Sequence, residues 1–133
     1  MAVLGAVQKR LLLDSSFVSD YDAELVRQET GPARRFARQF LAARVFVSVV
    51  TIEEFYEKRG RDAARELAAR FSVLGLHLAD SFQCGRLQTH SARRLGENDA
   101  WLAAQALRGD ISLVSRDHRF DDVPGLHVIR YAG

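Results

Sequence analysis

Four carboxylates, Asp14, Glu54, Asp99 and Asp117, stand at points in the chain where a charge has chemical consequences. Asp14 closes the apolar run Leu11-Leu12-Leu13, and Asp117 follows the run Ile111-Ser112-Leu113-Val114 after Ser115-Arg116. A short apolar run ended by a polar turn reads as a buried strand. The residue leaving the carboxyl end of a parallel strand lies where α/β sheets bind ligands. Glu54 comes soon after a β-branched run ending at Val50, and Asp99 lies in the first turn of a helical stretch opened by Asn98. Acids collected at one sheet edge repel, each raising the pKa of the next. A hard divalent cation relieves that repulsion, and oxygen ligands without cysteine or clustered histidine point to Mg²⁺ or Mn²⁺. Such a site activates water and neutralises the attacking and leaving oxygens of a phosphodiester.

Each acid also has a plainer reading. Asp14 has the type and place of an N-cap or Asx turn. Thr51-Ile52-Glu53-Glu54 reads as a capping box, with Glu53 the alternative ligand if the register is off by one. Asp99, like Glu97, suits the positive end of a helix dipole. It shares a helical face, however, with Leu102, Ala103, Ala106 and Leu107, where an unpaired carboxylate is costly. Arg116-Asp117-His118 has the makings of a surface turn. What favours a common site is the repetition, at Asp14 and Asp117, of an apolar strand followed by an acid.

The elements that must position these groups alternate. Strands are predicted at about residues 10–13, 45–50, 73–78, 111–115 and 126–131, the third weakened by Gly75. Helices are predicted from Ser19 or Asp20 to Glu29 with a Ser19/Asp22 capping box, and then over about residues 32–43, 51–59, 61–71, 79–95 and 98–107. Gly109 is expected to close the last in the usual C-terminal role. This alternation implies crossovers and a parallel sheet covered on both faces, an α/β fold. At 133 residues the chain reads as one domain, with a core over about residues 10–131. No apolar stretch approaches the roughly twenty residues of a membrane span. The apolar segment Met1 to Val7 precedes Lys9 and Arg10, the reverse of a secretory signal, so a cytoplasmic location is expected. A lone Cys84 permits neither an internal disulfide nor a thiolate metal cage, and is expected to be a small buried hydrophobe. A net charge of +2 mildly favours anionic partners.

Four stretches carry a family likeness: Leu12-Leu13-Asp14-Ser15-Ser16, Ser48-Val49-Val50-Thr51-Ile52-Glu53-Glu54-Phe55, Asn98-Asp99-Ala100-Trp101-Leu102-Ala103-Ala104 and Leu113-Val114-Ser115-Arg116-Asp117-His118-Arg119-Phe120. In these, from about residue 11 to 131, the chain resembles the PIN domain, and within it the VapC-type toxins of toxin–antitoxin pairs. The resemblance implies a sheet of order about 3-2-1-4-5 and metal-dependent endoribonuclease activity, carried by Asp14, Glu54, Asp99 and Asp117 with Mg²⁺ or Mn²⁺. It implies supporting hydroxyls at Ser115 and Ser16, a homodimer, and a small antitoxin whose C-terminal segment crosses the site. It departs from the family in a nine-residue leader and in residues 79–95, which match nothing specific.

Arg116, beside the proposed site, is the residue expected to touch substrate. Arg34, Arg35 and Arg38, and Arg86, Arg93 and Arg94, read either as phosphate contacts or as solvated helix faces. Phe36, Phe40, Leu41 and Tyr56 read as core or as a docking surface. The rivals are a housekeeping PIN nuclease in RNA processing or decay and a catalytically silent RNA-binding PIN module. A phosphoacceptor signalling module would need a Lys after a late strand, and Lys9 and Lys58 are the only lysines. A haloacid-dehalogenase-type phosphatase would want an Asp at position 16, where Ser16 stands.

Overall fold

Three consecutive leucines in a strand can all be buried only if the sheet is covered on both faces. In the computed structural model, which describes residues 9–133, Leu11, Leu12 and Leu13 are 3%, 0% and 0% exposed. They belong to β1 (Lys9–Leu13), flanked by β2 (Ala43–Ser48) and β4 (Ser112–Ser115), with β3 (Ser72–Leu74) and β5 (Val128–Arg130) at the edges. All four pairings are parallel and the order is β3-β2-β1-β4-β5, so the chain is an α/β fold of PIN-like topology. The segment Met1 to Val7, read above for targeting, lies outside the described residues, as does the side chain of Leu41.

Strand alternation splits the core in two. Leu12, Phe46 and Leu113 face α5 (Leu78–His90) and α6 (Glu97–Gly109), packing with Leu87, Leu102, Ala103 and Ala106. Leu11, Leu13, Val47 and Val114 face the other way, toward α1 (Ser15–Arg27), α2 (Pro32–Ala37), α3 (Val49–Arg59) and α4 (Arg61–Arg70). On that side Phe17 sits amid Tyr21, Phe36, Phe40 and Tyr131, with ring centroids 4.9–6.1 Å away. Phe36 and Phe40 are therefore core, whereas Tyr56 is 53% exposed. Cys84 is only partly buried, against the first core. Among the described residues no helix is long and apolar enough to cross a membrane.

Several element boundaries differ from the sequence reading, for local reasons. The first helix starts four residues early: Asp14 caps it, accepting from Phe17 N, and the proposed Ser19/Asp22 box falls inside the helix. The second strand ends at Ser48, whose hydroxyl caps α3 by accepting from Val50 N at 3.1 Å. Val49 and Val50, β-branched and read as strand, are helical, and Thr51 is buried rather than a cap. The fifth helix ends at His90, well before Leu95. Asp110, not Gly109, takes the left-handed conformation after α6, at φ 52°.

Between α1 and α2 the chain is tied by Glu24, 8% exposed, whose carboxylate accepts from the backbone N–H groups of Gly31, Ala33 and Arg34 at 2.8–3.0 Å. Burial pushes this carboxyl up, but the three N–H donors outweigh it and hold it below the ordinary value. Arg34 and Arg35 turn their side chains back to the carbonyls of Glu29 and Thr30.

Candidate active site

Parallel strands deliver their exits to one edge, and β1 and β4 are adjacent. Asp14, directly after β1, is 3% exposed, and its backbone N–H donates to the Val114 carbonyl on β4. Its Oδ1 accepts from Ser16 Oγ at 2.7 Å and from Phe17 N at 2.9 Å. Its Oδ2 accepts from Ser115 Oγ at 2.5 Å. The same Ser115 hydroxyl accepts from Asp117 N at 2.9 Å, so one buried serine joins the exits of both strands. The N-cap and the candidate ligand are thus the same side chain: Asp14 starts α1 and also lines the edge.

Glu54 sits in the second turn of α3, not the first, and its Oε1 accepts from Ser15 Oγ at 2.5 Å. That contact places it one residue from Asp14. Asp99, in the first turn of α6, has a side chain 22% exposed, and Asp117 is 24% exposed. Between Asp99 and Asp117 lies the Arg119 guanidinium, which reaches Asp117 Oδ2 through Nε at 2.8 Å and comes within 3.3 Å of Asp99. Glu53 is exposed, on another side of the helix from the buried contacts.

The electrostatics tie all four acids together. Burial pushes the Asp14 carboxyl up, against hydrogen bonds from Ser115, Ser16 and Phe17, and the Asp117 charge adds to the rise. Burial also raises Asp99; Arg119 opposes this, while the charges of Asp117, Asp14 and Glu54 each push it further. Asp117 goes the other way, held low chiefly by its hydrogen bond from Arg119. A carboxyl that is raised in the fold stabilises it fully below the unfolded value near 3.8, and loses that contribution as pH rises through the folded value. Depressed carboxyls such as Asp117 and Glu24 stabilise above the unfolded value and lose their contribution as pH falls through the folded one. The metal-free protein is therefore expected to gain stability from Asp14 and Asp99, and to melt higher, as pH falls through their raised folded values toward 3.8. Asp14→Asn should flatten that rise. Melting curves across this range check it, and a steady fall from neutral pH contradicts it.

Arg116 does not point freely at the edge: its Nε pairs with Asp20 at 2.8 Å. Asp20 also accepts from the Tyr131 hydroxyl at 2.6 Å, and that hydroxyl lies 3.5 Å from Ser16 Oγ. Burial first, and then Asp20, push the Tyr131 phenol far above its usual range, so it stays a donor. Sequence reasoning missed Ser15, Asp20, Tyr131 and Arg119. Only Arg119 carried a readable signal, lying two residues beyond an acid that starts an Asx-type turn, with Arg119 N donating to Asp117 Oδ1 at 2.9 Å.

Hard oxygen donors with an excess of negative charge suit a divalent cation, and the guanidinium between Asp99 and Asp117 stands in for one. As the side chains stand, no three His, Cys, Asp or Glu among the described residues are gathered tightly enough to cage an ion. Two of the four are turned onto Arg119 instead.

Comparison with known proteins gives a family match and a set of shared folds. The family model of the PIN domain matches residues 11–126. A comparison with curated proteins finds no match. Among solved structures, VapBC2 from Rickettsia felis bound to a DNA fragment from their promoter superposes with TM-score 0.74 at 14% identity, covering 91% of this chain and 98% of that one. VapBC-5 from Mycobacterium tuberculosis gives 0.61 at 24% identity, over 91% and 96%. VapC20 from Mycobacterium tuberculosis, a toxin cleaving the sarcin-ricin loop, gives 0.59 at 20%, over 86% and 95%. At these identities the likeness is one of fold.

Proposed function

The chain belongs to the PIN-domain family, and from that premise we propose that it is a metal-dependent endoribonuclease, the toxin of a toxin–antitoxin pair, acting in the cytoplasm. PIN domains are typically metal-dependent nucleases. The observation that carries the reading is the convergence of four acids from four separate elements. Asp14 and Asp117 share the Ser115 hydroxyl, Glu54 accepts from Ser15 beside Asp14, and Arg119 bridges Asp117 to Asp99.

Asp14, Glu54, Asp99 and Asp117 would hold Mg²⁺ or Mn²⁺. The bound ion supplies Lewis acidity toward water and toward the phosphoryl oxygens. The chain's own contribution is to hold the ligands in place and aimed. Ser115 and Ser16 orient the two Asp14 oxygens, Ser15 fixes Glu54, and the first turn of α6 presents Asp99. Three fixed donors, two on Oδ1 and one on Oδ2, direct the Asp14 carboxylate and leave a lone pair of Oδ2 for a cation, so the group reorganises little when charge develops nearby. Arg116, though paired with Asp20, is half-exposed at the same edge and supplies positive charge for an RNA phosphate.

The antitoxin reading draws on fold neighbours that include a toxin–antitoxin complex from Klebsiella pneumoniae and VapBC-5, of a family of toxin–antitoxin systems. On the α1/α4 side a groove lined by Phe17, Tyr21, Leu25, Phe55, Leu67 and Phe71, with Asp22, Arg59, Glu66 and Arg70 also along it, offers a seat with an apolar floor and charged sides to a short partner segment. A homodimer is part of the same proposal.

The test incubates the purified chain with a pool of structured RNAs, with and without Mg²⁺ or Mn²⁺, beside Asp99→Asn. Cutting should require the metal and vanish in the variant. Metal-independent cutting, or cutting that survives in Asp99→Asn, would overturn the mechanism. Binding without cutting would favour the silent RNA-binding module. Metal that binds only the folded chain should also stabilise it, by about 2.7 kcal/mol at a hundred times Kd, and so raise the melting temperature.

A further inference from the structure

Arg119 occupies the place where two of the four acids would otherwise face each other without a counter-ion. Its Nε donates to Asp117 Oδ2 at 2.8 Å, Nη2 contacts the same oxygen, and Nη2 lies 3.3 Å from Asp99 Oδ2. The turn beginning at Asp117 folds the arginine back, because Arg119 N donates to Asp117 Oδ1 at 2.9 Å. Among the described residues Arg119 is the only cation in salt-bridge contact with either Asp99 or Asp117; Arg116, the nearest rival in sequence, is held by Asp20. Its side chain is 61% exposed, so nothing packed above it prevents it from swinging out.

A guanidinium can neutralise a carboxylate pair, but it has donors only and no open position for water. A divalent cation would need the same lone pairs, those of Asp117 Oδ2 above all. Both cannot use that oxygen at once. From this geometry we infer that Arg119 is a resident counter-ion, which holds Asp99 and Asp117 while no metal is bound and must be displaced when the ion arrives. Arg119 thereby sets how tightly the divalent ion binds. The inference rests on the metal-dependent reading above, and it concerns this chain's own arginine rather than the ligand set. By linkage, removing a competitor that binds only the metal-free site strengthens metal binding by the coupling between the two.

The experiment measures Mn²⁺ binding to the metal-free full chain without RNA, by titration calorimetry and by the paramagnetic resonance signal of free Mn²⁺. The wild type is set beside Arg119→Gln, Arg119→Lys and the double variant Asp99→Asn with Arg119→Gln. Arg119→Gln should tighten Mn²⁺ binding by roughly tenfold. Arg119→Lys should fall between, since it keeps the charge and loses the planar fork. In the double variant the gain should shrink, because one of the two acids that Arg119 contacts is no longer charged. Without metal, Arg119→Gln should melt lower than wild type, and saturating Mn²⁺ should close that gap. Mn²⁺ binding equal to or weaker than wild type in Arg119→Gln would overturn the counter-ion role and leave the nuclease reading standing. No Mn²⁺ binding in either protein would overturn both.

Discussion

Asp14→Asn is expected to reduce RNA cleavage by roughly a thousandfold, about 4 kcal/mol of transition-state stabilisation at 1.36 kcal/mol per tenfold, while the fold stays intact. Asparagine is as good an N-cap as aspartate, so its amide oxygen can keep the bond from Phe17 N. Burial already favours the neutral form of the Asp14 carboxyl, and removing the charge therefore relieves the fold instead of straining it. Ser115 Oγ, which donates to Asp14 Oδ2, has lone pairs enough to turn and accept from an amide. What is lost is the charge that a cation needs. Asp14→Ala makes the contrast: it removes both charge and cap, and should lower stability by about 1 kcal/mol through the cap alone. Single-turnover cleavage and melting curves on the two variants separate the roles. Wild-type cleavage by Asp14→Asn would show that this acid does not serve the chemistry.

The largest loss of stability is expected far from that edge, at Glu24. Glu24→Ala leaves the N–H groups of Gly31, Ala33 and Arg34 without their shared acceptor, and should destabilise the protein by about 3 kcal/mol, since each bond to a charged partner is worth roughly 1.5–3 kcal/mol and water replaces part of the set. Glu24→Gln should fall between, because its one remaining oxygen cannot serve all three donors. Gly31 reports on the same contact. A Cβ there would stand 2.7 Å from the Glu24 carboxylate, so Gly31→Ala should destabilise the wild type and do much less harm in Glu24→Ala. A double-mutant cycle by chemical denaturation measures the coupling. Additive losses would mean that the two residues do not meet.

The sheet was legible because buried parallel strands leave plain marks: the leucines of β1, the Leu113-Val114 pair of β4, and an acid after each. Asp99 was legible as well, because helical spacing from it runs along buried Leu102, Ala103 and Ala106. Glu54 was selected on a local pattern that the fold does not use. Val49-Val50-Thr51 has strand-like residues, yet Ser48 caps the chain into α3 at once, and packing decides the matter over propensity. The shift moves Glu54 from the first turn to the second, within reach of Ser15. The Arg116–Asp20–Tyr131 cluster joins residues 111 positions apart, which no local spacing reveals. For Arg119 the local turn with Asp117 was readable, but its second partner, Asp99, comes from α6 and was not.

Asp14 is at once the most enclosed acid of the cleft and the peg on which α1 begins. That double duty constrains how the chain could drift toward an inert form. A change to Ala or Val at this position would forfeit a helix start along with the charge, whereas Asn or Ser would remove the charge alone and spare the scaffold. Descendants that lose the carboxylate and keep the architecture should therefore carry a small polar residue at position 14.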